Sequence, residues 1–256
     1  MIVKEKDNHF VLIRQTHHAM LSGLLAKAWK DVLFLGESFR QSVEYAAMHH
    51  DVGWARFDEA PFLNDRTRAP YSFDDFPDAP KTVLYKHGID AVMENDLYAA
   101  LLCSVHYANF YPDPEEEEVL QFVQAEEKRQ ALLRSRIEGF NESDFQAHYD
   151  LLKLVDALSL FVCLNEPGTP AEEGHPFFQK GIPVPDALQL EEKIVHPQWL
   201  DSETLALNVF PFEHPVEGSV PLKRLTKAAL TENGLLAGYK EAFVEEMTIQ
   251  FVPQEK

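Results

Sequence analysis

Only two cysteines, Cys103 and Cys163, occur among the 256 residues, too few for a disulfide framework. Each lies in an apolar run and reads as a small core hydrophobe in a reducing compartment. Long apolar stretches are also missing. None approaches the roughly 18 uninterrupted residues of a membrane helix, which excludes a helical spanning protein. The opening MIVKEKDNHF carries charge where a secretory signal needs an apolar segment. The expectation is a cytoplasmic chain with no membrane partner. Basic charge is scarce as well: 23 Lys and Arg stand against 42 Asp and Glu, a formal net charge of −19. A binder of nucleic acid needs the opposite balance to neutralise phosphates. The P-loop, the GxGxxG and GxSxG patterns, HExxH and CxxC are all absent.

What is present is enough apolar residue, 45%, to bury the core of one domain at this length. The runs IVKEK and HFVLI flank Asp7-Asn8, a pair suited to a tight hairpin. From Thr16, a candidate cap, to about Lys30 the apolar period becomes helical. A second helix is expected from about Glu37 to Met48, ending near Gly53. Residues 55–80 hold four prolines and read as a long irregular loop, a length that is often functional. Helical patterns follow at about 81–94, 96–109, 115–138 and 143–164. The EEEE run at 115–118 suits a solvated helix N-terminus. A second loop over 166–185 precedes three short strands in TLALNVFPF, VPLKRLTK and MTIQFVP, with a helix near 228–246 before the last. The fold class expected is therefore mainly α: about six helices in a bundle, core 12–165, within a single domain 1–256. A small accessory α/β element at 166–256 is expected beside it, joined by the N-terminal hairpin.

The eleven histidines are more than packing requires. His50-Asp51, in Met48-His49-His50-Asp51-Val52-Gly53-Trp54, sits at the end of the second helix, where both side chains can turn to one cation; imidazole and carboxylate are good ligands for first-row divalent metals. His18 shares a helix face with Leu21, Ser22 and Leu25. Asp156, in LLKLVDALSLFV, lies on an apolar stripe; burying it unpaired would cost roughly several kcal/mol, which a metal would offset. His106 points inward with Ala99, Leu102 and Cys103, and His87 lies early in the preceding helix. Six such ligands suffice for two metals about 3.5–4 Å apart, an arrangement that clamps phosphoryl groups. His49 is a candidate for a supporting contact; His148, His175, His196 and His214 read as surface or structural residues, and His9 and His17 as bystanders.

The ordered set His, His-Asp, Asp on successive helices resembles the HD-domain metal-dependent phosphohydrolase superfamily. HHDVGW, APYSF and DLYAALLCSVHY are similar to a bacterial branch of it, and the likeness covers about residues 12–165. It implies an all-helical core with metal ligands at His18, His50, Asp51 and Asp156. Val52 and Gly53 continue the pattern; Trp54 stands where many members carry Lys.

The function expected is hydrolysis of a small phosphoester or nucleotide with one or two divalent ions (Mn, Mg, Zn, Ni or Fe), with His106 moving a proton if one ion binds. Arg56, Lys86 and Lys153, with Arg66 and Arg68, are candidate phosphate partners. The acidity of the chain favours a small substrate over a polyanion. Two other readings use the same residues: di-iron oxygen chemistry, which the resemblance also allows, and a non-catalytic metal- or nucleotide-binding module. A homodimer through the C-terminal element is compatible with each. Trp54, Phe57, Tyr71 and Phe73 are candidates to line the pocket.

Overall fold

The computed structural model describes residues 1–255. The hairpin β1 (Ile2–Glu5) and β2 (His9–Ile13) leads straight into α1 (Gln15–Lys27). Then come α2 (Arg40–His49), a single 3-10 turn at Val52–Trp54 and the short α3 (Ala55–Glu59). A minimal ribbon, β3 (Leu63–Asn64) and β4 (Ala69–Pro70), precedes four longer helices: α4 (Asp78–Met93), α5 (Leu97–Ala108), α6 (Glu117–Arg136) and α7 (Glu142–Leu164). A second ribbon pairs β5 (Ile182–Pro183) with β6 (Ile194–Val195). The chain closes with β7 (Pro197–Trp199), β8 (Thr204–Leu207), β9 (Val216–Thr226), α8 (Lys227–Glu241) and β10 (Val244–Pro253).

The six strands of the main sheet run in the order β1-β2-β9-β10-β8-β7, antiparallel except for β10 against β8. About half of the chain is helical and about a fifth is strand, the sheet curling like half a barrel. This corrects the mainly α bundle with a small appendage: the fold is an α/β mix. The reason is in β2. Val11 and Ile13 belong to the large core shared with the helices, whereas Phe10 and Leu12 face Leu225, Leu235 and Tyr239 on the α8 side. A strand covered on both faces reads as an unbroken apolar run, so its alternation is hidden. The sheet is thus a middle layer. Leu21 and Leu24 of α1 lie over Gly218 of β9, where a Cβ would come within 2.9 Å of Leu21 Cδ1; α8 covers the opposite face.

Two local expectations also shift. Thr16 does not cap α1; Arg14 holds the cap position and no side chain bonds there. The loop predicted at 55–80 begins with α3. The caps of α5 and α7, by contrast, are supplied by Asp96, which accepts from Ala99 N, and Asn141, which accepts from Ser143 N and Asp144 N. Both cysteines are fully buried, Cys103 in α5 and Cys163 in α7. No helix among the described residues is long and apolar enough to cross a membrane.

Candidate metal centre

Four helical segments bring five of the candidate ligands together. α1 supplies His18, the turn after α2 supplies His50 and Asp51, α5 supplies His106, and α7 supplies Asp156. All five side chains are buried, with Asp156 the most exposed at 9%. His18 packs across to α7 because α1 lies against both α2 and α7. The turn at 50–54 is fixed from outside by α4: Gly53 approaches so closely that a Cβ there would lie 2.1 Å from Leu84 O. Only glycine permits that contact.

The hydrogen-bond network sets the tautomers. His50 Nδ1 lies 2.9 Å from Ala47 O and must carry a proton, which leaves its Nε2 as the atom that takes either a second proton or a metal. Ser159 donates its hydroxyl to Asp156 O at 2.8 Å, so its oxygen accepts from His18 Nδ1 at 2.9 Å. His18 Nε2 faces Asp51 Oδ2 at 2.6 Å, where the carboxylate accepts a hydrogen bond from it. His50 Nε2 sits 3.4 Å from Asp156 Oδ1 and 3.7 Å from Asp51 Oδ2, and His106 Nε2 sits 3.6 Å from Asp156 Oδ2. Imidazole nitrogens this close to carboxylates need a cation between them, either protons or a metal that takes their place. Two overlapping ligand sets result, His18-His50-Asp51 and His50-His106-Asp156, the atoms of each within 4.8 Å of one another.

The electrostatics agree with that requirement. Burial opposes charge on His50, but Asp51 and Asp156 outweigh it and raise the imidazole to about 9. Burial likewise opposes charge on both carboxylates, and the facing imidazoles reverse it, so both fall below the usual range. His106 goes the other way: burial, with little compensation from Asp156, pushes it down to about 4. It is neutral at pH 7 and ready to act as a ligand.

Around these groups lies a cavity of about 30 Å³, room for an ion and water but far below the roughly 300 Å³ of a drug-sized pocket. Trp54, Phe73, Tyr85, Phe110 and Leu160 wall it, with Gln15 at one side. Among the described residues, eight buried side-chain polar atoms lack a hydrogen-bond partner, and four of them line this one cavity: Gln15 Oε1, His50 Nε2, Trp54 Nε1 and His106 Nδ1. Orphaned buried atoms are costly and are expected where a ligand completes them. The donor set and the orphaned His50 Nε2 fit a divalent ion.

Several expected residues fall elsewhere. His87 is exposed and shares a separate groove of about 610 Å³ with Arg56 and Phe57. Lys86 pairs with Asp90 at 2.6 Å and Lys153 with Asp150 at 2.7 Å. Arg66 and Arg68 are exposed at the β3–β4 ribbon. None of the proposed phosphate partners lines the cavity, and no Lys or Arg does. His49 bonds Tyr45 O rather than the cluster, and Tyr71 packs on Phe76. His148 is structural, buried between Tyr98 and Leu35 O.

Sequence reasoning passed over Tyr107, whose hydroxyl reaches both His50 O and Asp51 Oδ1, and over Gln15, Tyr85, Phe110 and Ser159. A signal existed for some: Phe110 is one turn beyond His106, and Ser159 one turn beyond Asp156. No curated protein and no solved structure matches the chain significantly. A family model described as "Protein of unknown function (DUF3891)" matches residues 1–227, and the chain belongs to that family.

Proposed function

We propose that the chain is a metal-dependent hydrolase of a small phosphoester. The observation that carries this reading is the convergence of His18 Nε2 and His50 Nε2 on two buried carboxylates, Asp51 and Asp156, with His50 Nε2 left without a hydrogen-bond partner. His18, His50, Asp51 and Asp156 would hold one divalent ion, and His106 would complete the set for a second. The ion, when bound, supplies Lewis acidity for activating water and for neutralising charge on an ester oxygen. The likeness to HD-domain phosphohydrolases now rests on this order of ligands, not on the fold.

The chain's own residues supply the rest. Trp54 Nε1 offers an unpaired donor and Gln15 Oε1 an unpaired acceptor beside the ligands. The aromatic wall excludes bulk water, which strengthens each polar contact. In the reaction, water adds its oxygen to phosphorus, the P–O ester bond breaks and a proton passes to the departing alkoxide. With one ion bound, neutral His106 is placed to carry that proton. The closed cavity favours a small molecule over a polymer, and the two unpaired buried cysteines suit a reducing cytoplasm.

Elemental analysis of the purified chain, followed by a phosphoester panel, tests the reading. One or two manganese, nickel, zinc or magnesium ions per chain with phosphate release support it. Two irons with oxygen consumption, or no metal retained after reconstitution, overturn it.

A further inference from the structure

We infer that the α8 side of the sheet carries a binding site for a small organic carboxylate with an apolar tail, independent of the metal centre. The strands place its residues. Leu12 of β2 lies on the α8 face, and Arg14, two residues on in extended backbone, follows it there. Lys223 of β9 is paired with both Leu12 and Val244 of β10, and Pro221 with Glu246, so these side chains share the same face. Tyr239 of α8 walls this end of the sheet. Between them is a pocket of about 280 Å³, close to the lower bound of roughly 300 Å³ for small-molecule sites. His17 also lines it, with its Nδ1 spent on Pro221 O at 2.9 Å.

Two cations meet in this pocket, in a chain where 42 acids outnumber 23 bases. Arg14 Nε donates to the Tyr239 hydroxyl at 3.3 Å, and Lys223 Nζ to the Tyr239 carbonyl at 2.8 Å. Among the described residues the two terminal guanidinium nitrogens of Arg14 have no partner, and neither cation is ion-paired with a carboxylate. Burial and the neighbouring guanidinium hold the Lys223 ammonium below the usual lysine range. An anion seated between the two would relieve that repulsion and take charge-assisted hydrogen bonds from both. Glu246 is the one carboxylate in the lining, and it is exposed. Two cations against one carboxylate leave a single positive charge, which a carboxylate ligand balances and a phosphate dianion overshoots. Leu12, Pro221 and Val244 supply apolar lining, and Val244 is 61% exposed. A tail attached to the carboxylate would cover that surface.

Octanoate, octanol and octyltrimethylammonium share one tail and differ in head group. Calorimetric titration of each into the full chain separates the two contributions. Octanoate is expected to bind at least about tenfold more tightly than either. The net charge of −19 opposes every anion and favours every cation, so such a preference has to come from local geometry. Lys223→Met and Arg14→Gln are each expected to weaken octanoate about tenfold. Arg224→Gln removes a neighbouring cation that lies outside the pocket and pairs with Glu245, and should leave affinity unchanged. Equal binding of octanoate and octanol, no octanoate binding at millimolar concentration, or equal losses in Arg224→Gln and Lys223→Met would overturn the inference. The head-group comparison uses the wild type alone, so it decides the matter even where a variant fails to fold.

Discussion

Tyr107 holds Asp51 in place: its hydroxyl reaches Asp51 Oδ1, which leaves Oδ2 of the same carboxylate facing His18 Nε2 at 2.6 Å. The same hydroxyl lies 2.6 Å from the His50 carbonyl, so one phenol fixes both residues of the His-Asp pair. Tyr107→Phe is expected to weaken metal binding about 10- to 100-fold, the usual effect of losing a partner that orients a ligand. Calorimetric titration with manganese measures it; wild-type affinity would show that Asp51 is positioned without the phenol.

Loss of a ligand itself has a larger effect. His50 belongs to both ligand sets, and Asp156 faces both His50 and His106. His50→Ala and Asp156→Ala are each expected to abolish metal retention. His106→Ala is expected to leave one ion if the wild type holds two. Metal counted per chain decides between these outcomes, and wild-type content in the first two variants would refute the site.

His87→Ala serves as the counterpart. The residue is exposed and lies in a different groove, so metal content and folding stability should match the wild type. A drop in metal content would mean that the α4 surface takes part in the centre.

The raised His50 has a pH consequence with a definite sign. Its pKa rises from 6.5 in the unfolded chain to about 9 when folded, so its stabilising contribution is complete below about 6.5 and disappears as pH climbs toward 9. The metal-free protein should thus lose stability across that window. Metal competes with this proton, so apparent metal affinity should rise over the same range, with proton release at pH 7. Calorimetry in buffers of different ionisation enthalpy counts the protons; none released would contradict a charged His50.

Gly53→Ala tests the packing beneath the turn. A Cβ 2.1 Å from Leu84 O cannot be accommodated without moving α4, and overpacking of this kind costs about 1–3 kcal/mol or more. Urea denaturation should register that loss, together with weakened metal binding because the same turn carries His50 and Asp51.

The clustering of the five side chains was readable in the sequence because helix period places His18, His106 and Asp156 on apolar faces, where an ionisable group needs a reason. His87 misled because an inward turn of α4 exists, but Gly88, its neighbour, is the residue that uses it, packed against Gly53. The phosphate-binding cations were misplaced because proximity in sequence says nothing of direction: Lys153 precedes Asp156 by three residues yet leans over the Tyr149 ring. The joining of the N-terminal hairpin to the C-terminal strands was legible and is seen in the pairing of β2 with β9, but the extent of the sheet was underestimated because HFVLI conceals a two-sided strand.

The two thiols offer an internal reporter. Cys103 and Cys163 sit on the helices that carry His106 and Asp156, and burial pushes Cys163 up to about 12 and Cys103 higher still. Neither sulfur can be alkylated until its helix opens, so trapping by iodoacetamide clocks the exposure of each ligand-bearing segment separately. An ion bound between those helices would slow both clocks together, and the ratio of rates with and without it would give its linkage to folding without any substrate.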